Sequence, residues 1–311
     1  MKGLHEAVEA YVSLRRGLGY QFKGQAATLR SFARFAEAEG AEFVTTDLAL
    51  RFAKLPSGAQ PSTWADRLGR VRRFAVWHAA TDPRTEVPPE GLLVGRYRRK
   101  APYIYRDEEI EALIRAAEGL PSPRGLRGPT CATLIGLLSV TGMRVSEGIA
   151  LDRQDVDLEG AILRVRRAKF GKSRLVAVHA SSVAALRRYG RLRDRAFPKA
   201  ASPAFFVLDR GRRVTQWTLR YNFAKISREI GLRAPAGGYR HGKGPRLHDL
   251  RHRFAARTLL DWYRAGLDVE RAIPKLATYL GHVHVNETYW YLEAVPELLA
   301  LAAARIREAR A

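Results

Sequence analysis

Apolar residues in the first part of the chain recur at the three- and four-residue spacing of helices. This spacing predicts four helices before residue 80, with Thr45, Thr46 and Asp47 as N-caps of the third and Ser62 as N-cap of the fourth. The positions that mark their apolar faces are Leu4, Val8, Tyr11 and Val12, then Leu29, Phe32, Phe35 and Ala36, then residues 48–55, then Trp64, Leu68, Val71 and Ala75.

The pattern changes in the second part of the chain. Ile110, Leu113 and Ile114 predict a further helix, and residues 129–150 predict an apolar helix that breaks at Thr141 and Gly142 before a new helix begins. Residues 161–166 and 174–179 alternate as strands do, which predicts a hairpin, and helical spacing then continues to the end. The fold class predicted is mostly α with a small antiparallel β-sheet.

A proline-containing segment separates the two parts. Pro83, Pro88 and Pro89 disfavour regular structure there, and a basic run follows them. We predict a helical DNA-binding domain over 1–95, a basic linker over 96–104 and a catalytic domain over 105–311. Both domains are basic, so they could form a two-domain clamp around a duplex.

Charge is the strongest compositional feature. The formal net charge is +23 and the pI about 10.7, which fits a polyanionic partner such as DNA, although an arginine-rich proteome or a ribosome-associated protein would also account for it. A single cysteine, Cys131, excludes an internal disulfide. No apolar run approaches the length of a membrane span and no signal peptide is visible, so we expect a cytoplasmic, nucleoid-associated protein with no membrane partner.

Basic side chains cluster in two places outside the motifs discussed below. The fourth predicted helix carries an arginine face, and the linker carries a basic run. A charged face is often only solvated, but the small acidic balance here favours DNA contact. The residues predicted to contact DNA are Arg67, Arg70, Arg72, Arg73, Arg96, Arg98, Arg99, Lys100 and Lys172.

Two segments carry cations in positions that suit phosphate. Arg144 follows the break at Gly142 and precedes a helix, so its planar guanidinium would lie beside helix N–H groups. Lys169 and Lys172 lie in the connection between the two predicted strands, where a lysine can be held over a groove. Either segment alone would more often be an ordinary surface feature.

Two further segments carry histidine and tyrosine. His248 and Arg251 are three residues apart and share one helix face, where they offer a proton-transfer group and a fixed charge. His248 and His252 also have the spacing of zinc-binding helices, but no cysteine cluster accompanies them, so we expect no metal. Near the C-terminus, Leu280-Gly281-His282 precedes an aromatic run that includes Tyr289 and Tyr291.

In this order, the four segments resemble the tyrosine recombinase, or phage integrase, family. The resemblance rests on a Thr-Gly-x-Arg-x-Ser-Glu box, a hairpin lysine, His-x-x-Arg, Leu-Gly-His and a tyrosine nine residues after that histidine. It covers roughly residues 105–311. The site residues it implies are Arg144, Lys169, His248, Arg251, His282 and Tyr291, with Glu147 supporting them and Lys172 as the alternative to Lys169.

The resemblance also implies a mechanism. Tyr291 attacks a DNA phosphodiester and forms a 3′-phosphotyrosyl bond, with His248 as base and the two arginines and His282 on the phosphate oxygens. Lys169 protonates the departing 5′-oxygen, and no metal, ATP or other cofactor takes part. The helix after Pro296 would couple protomers of a dimer or tetramer on double-stranded DNA, and sister recombinases are further possible partners.

Three assignments stay open from the sequence. The chain could instead have type IB topoisomerase-like activity, or be a non-catalytic DNA-binding partner in a recombination complex. The DNA target is not encoded in any visible motif. The sequence is compatible with a role in a mobile genetic element, by phage integration or transposition, and also with a role in chromosome dimer resolution.

Overall fold

The computed structural model describes residues 3–95, 101–166, 173–199, 202–235, 244–294 and 296–301. The chain divides into two compact units, Met1–Lys100 and Ala101–Ala311. Separate clusters of buried apolar side chains form their cores. Most of the predicted basic linker lies outside the described residues, and with it Arg96, Arg98, Arg99 and Lys100.

Four helices form the first unit, as their apolar spacing predicts. They are α1 (Leu4–Gly17), α2 (Lys23–Ala38), α3 (Thr46–Lys54) and α4 (Pro61–His78). Thr45 caps α3, since its side chain accepts a hydrogen bond from the Leu48 N–H. The predicted capping by Ser62 is wrong, because α4 already begins at Pro61, whose fixed φ and missing N–H suit the first helical position.

Helices also dominate the second unit, which contains one small sheet. Its helices are α5 (Asp107–Glu118), α6 (Arg127–Thr141), α7 (Val145–Ala150), α8 (Ala180–Ala196), α9 (Gln216–Glu229), α10 (Leu247–Arg264), α11 (Val269–Leu280) and α12 (Asn286–Ala294). Its strands are β1 (Val156–Asp157), β2 (Ile162–Val165) and β3 (Arg174–Ala177). The predicted fold class is confirmed.

The sheet is antiparallel in the order β1-β2-β3. The predicted hairpin is confirmed as β2 and β3, whose register pairs Ile162 with Ala177 and Val165 with Arg174. This register fixes Arg174 at the end of the sheet next to the hairpin connection. Lys169 and Lys172, both in that connection, lie outside the described residues.

The predicted helix after Pro296 is present as far as the structure describes it, over 296–301. Leu298 is fully buried in a cluster with Leu259 of α10 and Tyr291 of α12, so this part of the helix packs on its own unit. Residues 302–311 lie outside the description. Among the described helices, none is both long and apolar enough to cross a membrane.

Candidate active site

Arg144 is positioned by a sharp end to α6. Gly142 follows that helix in the left-handed conformation, at φ 59°, and a Cβ added there would lie 2.5 Å from the ring of Phe254. The chain then starts α7 with Arg144 as its N-cap residue. The Arg144 Nη1 donates to Glu147 Oε1 at 2.9 Å, and its Nη2 donates to the main-chain oxygen of Gly281 at 3.0 Å.

Glu147 is held between two arginines. Its side chain is buried, and it accepts hydrogen bonds from Arg144 and from both terminal nitrogens of Arg174, at 3.1 and 2.7 Å. Burial alone would raise the pKa of this carboxyl, but the hydrogen bonds and positive charge of Arg174 and the hydrogen bonds of Arg144 outweigh it, so the pKa lies below the usual 4.5. The carboxylate therefore stays ionised and orients both guanidinium groups.

Arg251 is the most buried cation of the site. It is 2% exposed, and its Nη1 and Nη2 donate to the main-chain oxygens of Gly142 and Leu280 at 2.8 and 2.9 Å. Burial and, next, the positive charge of Arg144 lower its pKa to about 10. Since a guanidinium carries five N–H donors, both arginines retain donors for an anion, and an anion would relieve the repulsion between them.

The end of α11 gathers three arginines. The main-chain oxygens of Tyr279, Leu280 and Gly281 accept from Arg174, Arg251 and Arg144 respectively. The C-terminus of a helix is the negative end of its dipole and leaves carbonyl oxygens unsatisfied, so it favours cations. Gly281 adopts φ 70°, and a Cβ there would approach the Arg174 Nη1 to 2.9 Å, so a larger residue would displace this arginine.

His282 and Tyr291 lie beside this group. The ring centroids of the two residues are 6.3 Å apart and nearly parallel, and Nδ1 of His282 lies 2.7 Å from the hydroxyl of Thr288. Tyr291 is 2% exposed, and its hydroxyl lies 3.2 Å from Nδ1 of His252. The tyrosine and the arginines therefore belong to one site within a single chain.

His248 occupies the first turn of α10. Its ring meets that of His252 edge to face, with the centroids 4.7 Å apart. Although the side chain keeps an exposed surface, desolvation by the surrounding protein and then the positive charge of Arg251 lower its pKa to about 4. Both effects act in the same direction, so the imidazole is neutral at pH 7.

Sequence reasoning missed two residues of this site. Arg174 falls at the start of the second predicted strand, and His252 is considered only as a possible zinc ligand. The contacts that define them, with Glu147, Tyr279 and Tyr291, join residues far apart in the sequence. No grouping of three or more metal-ligating side chains occurs within the described ranges.

The arginine face of α4 has a different character. Arg67 donates to the main-chain oxygen of Phe52, Arg70 donates to Gly24 and Thr28, and Arg72 pairs with Glu90. Arg73 is exposed and makes no ion pair with any residue in the described part of the chain. Three of the four α4 arginines predicted to contact DNA are therefore engaged within the first unit.

The second unit thus joins three guanidinium groups, a neutral imidazole and a buried tyrosine hydroxyl. Guanidinium groups bind the oxygens of a phosphate in two-point contacts and stabilise the charge that grows during phosphoryl transfer. A tyrosine oxygen can act as a nucleophile when a neighbouring group accepts its proton. The site is suited to covalent phosphoryl transfer.

Comparison with known proteins gives one consistent family. The sequence model described as phage integrase family matches residues 104–297. Over 310 residues the chain is 47% identical to the integrase/recombinase y4rB of Sinorhizobium fredii, and the alignment covers 98% of each of the two chains. It is 30% identical to the tyrosine recombinase XerD of Ralstonia nicotianae over 81% of this chain and 76% of that one.

Among solved structures, the integrase of transposon Tn1549 in complex with transposon right end DNA has a similar fold. The TM-score is 0.67 at 16% identity, and the alignment covers 98% of this chain and 99% of the other. At this identity the likeness is one of fold, and it extends over both units.

Proposed function

The chain belongs to the phage integrase family and is a tyrosine-type site-specific recombinase, and from this premise we propose that it cleaves and rejoins DNA through Tyr291. The observation that supports this residue most strongly is its place beside His282, at the point where three arginines converge. Tyr289, the other tyrosine of the aromatic run, is only seven residues beyond His282 and has no such contact with it among the described residues.

The arginines are proposed to hold the scissile phosphate. Arg144 and Arg251 would bind its non-bridging oxygens and stabilise the pentacovalent transition state, and His282 would donate a further hydrogen bond. Glu147 would keep the guanidinium of Arg144 in place. Arg174 shares this carboxylate and is added as a positioning residue.

Two roles complete the chemistry. His248, neutral at pH 7, is proposed to take part in proton transfer or to donate to the phosphate. Lys169 is proposed to protonate the departing 5′-oxygen, with Lys172 as the alternative. The phosphotyrosyl bond retains the energy of the broken phosphodiester, so the proposed reaction needs neither a nucleotide nor another cofactor.

Double-stranded DNA is the proposed partner, contacted by the helical domain over 1–95 and the catalytic domain over 105–311 through the linker over 96–104. Exchange between two duplexes requires four strand cleavages, and each chain supplies one nucleophile. We therefore propose self-association into dimers and tetramers on DNA, coupled through the C-terminal helix, with sister recombinases as further partners. Such an enzyme would work at the nucleoid, and the similarity to a transposon integrase favours a mobile genetic element.

Replacement of Tyr291 with phenylalanine tests the nucleophile. A duplex selected by binding from a random library, nicked to trap the covalent complex, serves as substrate. Tyr291→Phe should bind this duplex with unchanged affinity and form no covalent complex, while Tyr289→Phe, the matched control, should still form one. If the Tyr291→Phe protein still became covalently attached to DNA, Tyr291 would not be the nucleophile. Supercoil relaxation with no four-way junction would point to a topoisomerase instead.

A further inference from the structure

The nucleophile's hydroxyl contacts a histidine that the family motif does not assign. Nδ1 of His252 lies 3.2 Å from the hydroxyl of Tyr291, within hydrogen-bond distance. Both residues are buried, at 7% and 2% exposure. No contact between His248 and Tyr291 is found among the described residues, and His248 instead meets the ring of His252.

Helix geometry explains why His252 takes this position. It lies one turn after His248 on α10, immediately after Arg251, so it faces the same site from deeper in the unit. Its ring is enclosed by the rings of Trp290 and Tyr291, whose centroids lie 5.2 and 5.5 Å away. Packing of this kind fixes the orientation of the imidazole towards the hydroxyl.

We propose that His252 is the proton acceptor for Tyr291, a catalytic residue of the cleavage step; this inference rests on the proposed function. The proton stays on Nδ1 as the oxygen moves to phosphorus. His248, whose ring is the more exposed, is left free to contact the phosphate.

The step balances without another reagent. The Tyr291 O–H bond breaks and its proton passes to Nδ1 of His252, which becomes an imidazolium. The tyrosine oxygen forms a bond to phosphorus, and the bond from phosphorus to the 5′-oxygen breaks; that oxygen takes a proton from the general acid, proposed above to be Lys169. In the reverse step the 5′-hydroxyl attacks the phosphotyrosyl bond, and the imidazolium returns its proton to Tyr291.

The charges around His252 make the proton transfer from Tyr291 depend on bound DNA. His248 and Arg251 come from the same helix as His252, Tyr291 comes from α12, and His282 from the segment after α11. Without DNA, an imidazolium here would lie beside the cationic Arg251, which disfavours it. A bound phosphodiester supplies the negative charge that compensates it, so the nucleophile is activated when the duplex is in place.

His252→Asn is the sharpest test, because the asparagine side-chain amide falls close to the position of Nδ1 and keeps a hydrogen bond but cannot take up a proton. His248→Asn is the matched control on the same helix face. The measurement is the rate of covalent trapping on the selected nicked duplex between pH 5 and 9. His252→Asn should retain DNA affinity, cleave about 10²–10⁴-fold more slowly and lose the rise in rate with pH, whereas His248→Asn should keep that rise.

A modified leaving group separates proton acceptor from proton donor. A sulfur in place of the bridging 5′-oxygen leaves without needing a proton, so it should restore a variant that lacks the general acid but not His252→Asn. The proposal is overturned if the sulfur substrate restores cleavage by His252→Asn. It is also overturned if His252→Asn cleaves the ordinary substrate at or above the wild-type rate with an unchanged pH profile. If the wild-type chain itself forms no covalent complex, the proposed function has failed instead.

Discussion

Arginines on α4 and arginines at the end of α11 have the same chemistry but opposite surroundings. On α4, Arg67 lies with its Cζ 4.1 Å from the ring centre of Phe52 and donates to a main-chain oxygen of α3. In the second unit, Arg251 is 2% exposed, and after burial the positive charge of Arg144 contributes to the lowering of its pKa. Most of the α4 arginines are held by contacts within their own unit, whereas the arginines at the end of α11 converge on one point, where an anion would compensate their charge.

This difference shows what a cluster of basic residues can and cannot indicate. A stripe of arginines along a helix predicts DNA contact from charge alone, yet most of the α4 stripe binds its own domain. Half-buried cations that share one carboxylate, as Arg144 and Arg174 do, beside the buried Arg251 are costly unless a further negative group arrives. Convergence of several guanidinium groups on one helix end, beside a histidine and a tyrosine, is therefore the better indicator of a phosphate site.

The largest effect should follow from Arg251→Lys. Lysine keeps the charge but loses the planar pair of donors, so cleavage should fall by about 10²–10³-fold while DNA affinity stays within a few-fold. Trapping of the covalent complex measures the rate. Arg257→Lys, an exposed position on the same helix, should leave the rate unchanged, and equal losses in both variants would show that the fork of Arg251 has no special role.

Glu147→Gln should destabilise the chain by about 3 kcal/mol at pH 7, because it leaves two half-buried arginines, Arg144 and Arg174, without their shared carboxylate. Since the native pKa of Glu147 is lowered below 4.5, its ionised form stabilises the fold above that pH, and this contribution is lost as the pH falls through the native pKa. Urea unfolding between pH 3 and 7 should show the difference from wild type shrinking in acid. The exposed Glu159→Gln serves as control, and a pH-independent difference would contradict the expectation.

Arg67→Ala should lower the free energy of unfolding by about 2 kcal/mol, since it removes a hydrogen bond from a charged donor and a cation–π contact with Phe52. Thermal or urea unfolding measures it. At a permissive temperature its DNA affinity should be close to that of wild type. A stable variant with weak DNA binding would instead place Arg67 on the duplex.

The smallest effect is expected from Arg73→Ala, because Arg73 is an exposed arginine on the same helix as Arg67. Stability should be unchanged, and DNA affinity should fall a few-fold, with the slope of log affinity against log salt reduced by about one. Binding titrations at several salt concentrations measure both quantities. An unchanged slope would remove the last arginine of this face from the proposed DNA interface.

Sequence periodicity is sufficient for elements whose apolar positions repeat over several turns. It predicts α6, its break at Gly142 and the hairpin of β2 and β3. It does not predict β1, because two residues show no period. It also places the start of α4 wrongly, since a proline at the first position competes with a capping serine.

The residues of the site also divide into those that a local motif predicts and those that it does not. The order of the motifs is enough to predict Arg144, Arg251, His282 and Tyr291, which the structure brings together, because each lies in a short segment with recognisable neighbours. Arg174 and His252 were missed because their partners are distant in sequence. Their contacts depend on how α7, α11 and α12 pack, which no local pattern encodes.

The three consecutive carbonyl groups at the end of α11 have a mechanical consequence. They anchor Arg144, Arg174 and Arg251, which come from three different elements of the fold, through atoms that every residue type possesses. A small slide or rotation of this one helix would shift all three anchors in concert. The electrostatic stabilisation of the transition state would then be gained or lost as a single event rather than by degrees, and it would depend on the position of α11.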